Sequence, residues 1–195
     1  NLSWSVWDDT IDFIEHSNAN YVEENLSNET YAKNHISVIV MLDLSGKIVY
    51  GKSYDRQQDK ILDLPQSLKD YIKANPAILN HPNLHKCHEG LILLPENQLL
   101  FTSCPILTSQ EKGPSHGTVI LGTNLDQIVV EELRKTTRSE LNFYRLDRSL
   151  PNSNLQKVIE TIDPKSLISI QSQNNHLLSA YKILKDFSGK PATLL

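Results

Sequence analysis

The stretch ISVIVMLDLSGKIVYGKSY, residues 36–54, decides how the rest of the chain is read. Two runs rich in β-branched residues flank the polar segment DLSGK, a pattern that predicts a β-hairpin. Gly46 is placed to take a positive φ, and Asp43 to accept hydrogen bonds from the turn amides. Alternation along the second strand sets Tyr50, Lys52 and Tyr54 on one face. Nearly the same turn returns as DFSGK, residues 186–190, again after an apolar run. The first copy joins an early pair of strands and the second joins the last pair. The repeat therefore reads as shared turn chemistry rather than tandem duplication.

Upstream of the hairpin, Trp4, Trp7, Ile11, Ile14 and Tyr21 recur at helical spacing, with Asp8, Asp9, Asp12 and Glu15 on the other faces. That pattern predicts one amphipathic helix over the first thirty or so residues. Asn18 and Asn25 fall on the same seam. They read either as register-fixing polar positions in a parallel helix pair or as solvated residues of a helix packed on its own domain. The stripe Trp4, Trp7, Ile11 and Ile14 is the candidate dimer contact.

Downstream, a helix is expected from about Leu64 to Asn75, with Leu68, Tyr71 and Ile72 on one face and Pro76 ending it. Residues 76–90 are rich in Asn, His and Pro and read as a loop or a broken helix. Strands follow at 90–95, 98–107 and 118–125 as a meander. A further helix is expected with Asn124 as N-cap and Gln127 completing a capping box. The last third predicts a strand at 140–146, a helix at 155–162 stopped by Asp163–Pro164, and strands at 167–173, 176–186 and 190–195. The expected class is α+β: a long N-terminal helix, then a PAS/Cache-like antiparallel sheet, with a second smaller sheet module or an extension of the first. Residues 1–124 and 125–195 are the expected domains.

The chain has 195 residues and a net charge of −4, with no basic stripe. Phosphate binding needs clustered Lys and Arg, so nucleic acid is not an expected partner. The longest apolar runs are far shorter than the roughly 20 residues that cross a bilayer.

The densest chemistry is HPNLHKCHEG, residues 81–90. Imidazole and thiolate are zinc and copper ligands, yet Pro82 interrupts a helix here and the spacing matches no common structural zinc pattern. No metal site is expected, and His81, His85 and Cys87 are the residues that would form one. Cys87 and Cys104 either form one disulfide, tying the 76–90 loop to the sheet, or remain two thiols. Cys104 has no Cys–His signature around it, the paired carboxylates lie on helices, and no Gly-rich phosphate loop occurs. Neither a catalytic residue nor a cofactor is expected. A pocket in a PAS-like fold lies between the sheet and the elements covering it, which nominates Tyr50, Lys52, His88, Thr102 and Ser103 for ligand binding. The alternative is that Tyr50 and Lys52 line a solvated face.

Taken in order, WDD (7–9), LDLSGKIVYGKSYD (42–55), GLILLPENQLLFTSCPILTSQEKGPSHGTVILGTNLD (90–126) and AYKILKDFSGKPATLL (180–195) resemble the CHASE4 family. These are extracellular sensory domains of prokaryotic receptors, related to the Cache and PAS-like folds. The resemblance implies a domain on the extracytoplasmic face of the membrane, between one span upstream of Asn1 and another after Leu195. The 125–195 module would then be membrane-proximal, and the chain itself would not be an enzyme. It implies a histidine kinase or diguanylate cyclase output, a homodimeric receptor, and a small-molecule ligand or a periplasmic or extracellular protein as the stimulus. Two other readings remain at this stage: a cytosolic PAS-type module for a cofactor or protein contacts, and a metal-binding enzyme using His81, His85, Cys87 and His88.

Overall fold

The computed structural model describes residues 3–163, 167–174 and 177–195. The N-terminal segment forms three helices rather than one: α1 (Asp8–His16), α2 (Ala19–Asn25) and α3 (Asn28–Lys33). Ser17 enters the left-handed region at φ 56° and ends α1. Asn18 is extended, and its side chain accepts a hydrogen bond from the Asn20 amide to cap α2. Ser27 caps α3 in the same way through the Thr30 amide. Asn18 is thus a helix cap, not a seam residue. Asn25 bonds locally too, its Nδ2 donating to the Tyr21 carbonyl.

The sheet contains β1 (Val38–Asp43), β2 (Ile48–Asp55), β3 (Lys60–Asp63), β4 (His88–Leu93), β5 (Gln98–Pro105) and β6 (Gly117–Asn124). Their order is β3-β2-β1-β6-β5-β4. Helix α4 (Gln66–Ala74) and a 3₁₀ turn at Pro76–Leu79 stand between β3 and β4. β3 has no counterpart in the sequence reading. Its four residues, KILD, are too short to alternate visibly and are mostly exposed.

Register assigns every strand residue to a face. Met41 pairs with Tyr50 and Val119, and Val119 with Cys104. Their side chains join Ile39, Tyr54 and Ile106 in a core closed by Phe13, Ile14, Tyr21, Leu26 and Tyr31 of the N-terminal helices. Trp4, Trp7 and Ile11 pack partly against it. The opposite face carries Val40, Ile120 and Ser103 in register. There Leu64 closes on Gly51, and the 3₁₀ turn reaches Ser103.

The chain divides into two compact units. The first runs to Gly90 and resumes over Leu94–Asn124; the second comprises Leu91–Leu93 and Leu125–Leu195. The second contains α5 (Gln127–Thr137), β7 (Tyr144–Arg145), α6 (Ser153–Thr161), β8 (Ile168–Asn174), β9 (Leu177–Lys185) and β10 (Pro191–Leu194), in a sheet ordered β7-β10-β9-β8. Leu155, Val158, Ile162, Ile183 and Leu194 form its core. Asp126, not Asn124, caps α5 by accepting from the Val129 amide. Asn124 ends β6 instead and accepts a hydrogen bond from Asn97 Nδ2. The expected strand at 140–146 is reduced to Tyr144–Arg145. The expected stop at Pro164 lies outside the described residues.

The α+β class, with helices ahead of an antiparallel sheet and a second smaller sheet, is the one the sequence predicts. The two turn copies also adopt one geometry. Gly46 and Gly189 sit at φ +80° and +84°. Asp43 Oδ1 accepts from the Ser45 and Lys47 amides, and Asp186 Oδ1 from the Lys190 amide. No helix among the described residues is long and apolar enough to cross a membrane.

Candidate functional site

Cys87 and Cys104 form a disulfide, with Cα atoms 4.4 Å apart. Three residues further along β4, a Cβ on Gly90 would lie 3.3 Å from the Phe101 ring. Both approaches belong to one antiparallel register, which sets His88 beside Ser103. The disulfide faces the helix-covered core, so alternation turns His88 and Ser103 to the opposite face, against the 3₁₀ turn and the 76–90 loop.

His81 completes the group. Its ring stacks on that of His88, with centroids 4.8 Å apart and planes 27° apart. The fully buried Ser103 hydroxyl donates to the Ile78 carbonyl at 2.7 Å. It therefore meets His81 Nε2, 3.4 Å away, as an acceptor, which assigns the His81 proton to Nε2 and the lone pair to Nδ1. His81 Nδ1 is buried and makes no hydrogen bond. Burial, and then the nearby charge of His88, pull the His81 pKa down to about 4. The ring is neutral at pH 7. Its Nδ1 suits a hydrogen-bond donor on a ligand. His88 Nε2 lies 2.7 Å from the Asn80 carbonyl, which orients that ring.

The residues expected to bind ligand separate. His88 and Ser103 share the face just described. Tyr50 lies on the other face, its hydroxyl 3.1 Å from that of Tyr31 inside the core. Burial raises the Tyr50 pKa. Lys52 forms an exposed cross-strand pair with Asp63 at 2.7 Å, which holds the Asp63 carboxyl below its usual range. Thr102 pairs with Leu121 and lines a separate cleft at the edge of that face. Strand alternation names a face but not what covers it, and this is why His81 was not among the expected ligand residues. Of the proposed metal ligands, Cys87 is committed to the disulfide, His85 is exposed, and no three His, Cys, Asp or Glu side chains among the described residues are placed to hold an ion.

Two motifs distant in sequence meet at α1. The Asp8 amide donates to Ser109 Oγ at 3.1 Å, and the Ser109 amide donates back to Asp8 Oδ1 at 2.9 Å. At the other end of α1, in its last turn, Glu15 Oε1 lies 2.9 Å from His116 Nδ1. The segment TSQEKGPSHG therefore supplies the cap that Trp7 cannot give α1.

A six-stranded antiparallel sheet with helices on both faces and a second small sheet is the architecture of the PAS/Cache-like sensory folds. The extracellular domain assigned to the histidine kinase vpHK1S-Z8 superimposes with a TM-score of 0.57 at 15% identity, over 95% of this chain and 77% of that one. A domain of a sensory box/GGDEF family protein from Vibrio parahaemolyticus gives the same score and identity, over 95% of this chain and 81% of that one. In sequence, the methanogenesis regulatory histidine kinase FilI of Methanothrix harundinacea (strain 6Ac) is 29% identical over 192 residues. That alignment takes in 98% of this chain and 21% of FilI, so the chain spans about a fifth of that relative. The CHASE4 domain family matches residues 1–144, and the chain belongs to that family.

Proposed function

We propose that this CHASE4 domain is the extracytoplasmic sensory part of a membrane receptor that passes its signal to a histidine kinase or diguanylate cyclase inside the cell. Membership of the family carries the reading, together with a histidine-kinase relative whose likeness to this chain occupies only a fifth of its length. The Cys87–Cys104 disulfide supports an oxidising compartment. In this reading the stimulus is a small molecule or a periplasmic or extracellular protein. His81, His88 and Ser103 are the groups that receive a small ligand, with the His81 Nδ1 lone pair as the unmet acceptor. A ligand shifts the output only through unequal affinity for two signalling states.

A homodimeric receptor would meet through the N-terminal segment. Ile14 is buried within its own unit, so such a contact draws on the outer edges of Trp4, Trp7 and Ile11.

A thermal-shift screen of the 195-residue chain against amino acids, organic acids, nucleobases and divalent metals tests the ligand reading. A ligand at a hundred times its dissociation constant stabilises the fold by about 2.7 kcal/mol. A saturable shift in the native chain that is lost in His81→Ala and Ser103→Ala supports it. Silence across the panel transfers the stimulus to a protein partner.

A further inference from the structure

We propose that the cleft between the 3₁₀ turn at Ser3–Ser5 and strands β5 and β6 is a second binding site, for an uncharged small molecule with an apolar body and a hydrogen-bonding head. The cleft holds about 480 Å³, within the range of small-molecule sites. It lies on the face that carries Thr102 and Leu121, so an occupant would not compete with one at His81 and Ser103.

Its floor is built by register. Leu100 pairs with Thr123 and Thr102 with Leu121, and alternation turns these four side chains to one side of β5 and β6. Trp4 and Asn34 form walls. Leu100 remains 36% exposed between two buried neighbours, Leu99 and Phe101. An apolar side chain open at the floor of a cleft is where a ligand gains most from leaving water.

The polar groups fix what the head must be. Asn34 Nδ2 donates to the Thr30 carbonyl at 2.8 Å, which leaves its Oδ1 to accept. Thr123 Oγ1 donates to the His35 carbonyl at 2.9 Å and retains its lone pairs. Thr102 adds a hydroxyl and Trp4 an indole N–H. Among the described residues, no Asp, Glu, Lys, Arg or His lines the cleft. A charged ligand would lose hydration there without a counter-charge, whereas an amide, lactam or alcohol would find its partners. The Trp4 wall is tied down, since the Leu107 amide donates to the Ser5 carbonyl at 2.8 Å and Val6 bridges Leu107. Helix α1 begins at Asp8, so an occupant touching Trp4 also bears on the start of that helix.

The test uses the 195-residue chain and two matched pairs of probes: 2-naphthamide with 2-naphthoate, and octanamide with octanoate. Binding is read by the Trp4 indole N–H resonance, assigned with a Trp7→Phe variant. The expected result is saturable binding of at least one amide, with movement of the Trp4 resonance and affinity at least about tenfold above the matching carboxylate. Leu100→Arg, at an exposed position, and Thr102→Val, which removes only a hydroxyl, should each weaken that binding about tenfold without altering the melting temperature of the free protein. If either variant unfolds, the native chain's resonance map and charge preference still decide. No saturable binding of either amide overturns the proposal. So does equal affinity for amide and carboxylate, or binding that moves His81 resonances and leaves Trp4 in place.

Discussion

His81 Nε2 lies 3.4 Å from the hydroxyl of Ser103, and the proton of that hydroxyl is already given to the Ile78 carbonyl. The imidazole is therefore held in one tautomer, stacked on His88 and neutral, with a folded pKa of about 4 against the ordinary 6.5.

This depression makes stability depend on pH. Between pH 6.5 and 4 the unfolded chain takes up a proton at His81 that the folded chain refuses, so acidification favours unfolding. The contribution of His81 is fully present above pH 6.5 and is lost as pH falls to about 4. Denaturant midpoints of the native chain should thus fall more steeply over that window than those of His81→Gln. Equal slopes for the two proteins would show that the ring is protonated as freely in the fold as in water.

The disulfide closes a sequence separation of 17 residues that includes the whole 88–103 hairpin. In the loop-entropy account a closure of this size stabilises the fold by about 3 kcal/mol. The Cys87→Ser/Cys104→Ser double variant should lose about that amount in guanidinium unfolding followed by Trp4 and Trp7 fluorescence. Reductant should bring the native chain to the same midpoint and leave the double variant where it is.

Gly117 opens β6 directly opposite Asp43, and a Cβ there would fall against the carbonyl oxygen of Leu42. Backbone cannot yield as the far end of a side chain does. Gly117→Ala should therefore cost about 2–4 kcal/mol, in the upper range for point substitutions. Gly189→Ala meets no neighbouring atom and faces only its positive φ, so its cost should be about 1 kcal/mol. Thermal unfolding of the two variants gives the comparison, and a smaller loss at Gly117 would contradict it.

Asp43 and Asp186 perform the same task in their separate units. Ser45 first, and the Lys47 and Ser45 amides after it, hold the Asp43 carboxyl below the usual carboxylate range. Asp43→Ala and Asp186→Ala should each cost about 1 kcal/mol, the net worth of such a hydrogen bond. Amide exchange at Lys47 and Lys190 should accelerate in the corresponding variant alone.

These turns were legible in the sequence because their chemistry is local: an Asp, a Ser and a Gly at fixed offsets leave few alternatives. The shared face of Tyr50, Lys52 and Tyr54 on β2 was legible for a similar reason, since alternation survives any tertiary context. The breaks at Ser17 and Ser27 were not. Trp7, Ile11, Ile14 and Tyr21 reach one core whether their helix is continuous or kinked, so periodicity carries no trace of the caps. Cap choice also misled at Asn124, where the strand kept that residue for a bond with Asn97 and Asp126 became the cap. The candidate site was half visible. His88 and Ser103 were among the expected ligand residues, but the register that joins them, and the loop that lays His81 over both, depend on contacts across distant parts of the chain.

The central claim is that this CHASE4 domain works outside the cytoplasm as the sensory part of a receptor. The most direct measurement is the redox state of Cys87 and Cys104 in intact cells expressing the whole parent protein. Acid-quenched samples are treated with a thiol-reactive polyethylene glycol, without reductant, and the fragment bearing the domain is then sized. The account predicts no modification at either cysteine until reductant is added, because both sulfurs are already joined in an oxidising compartment. Full modification of both thiols in untreated cells would place the domain in the reducing cytosol and contradict the claim.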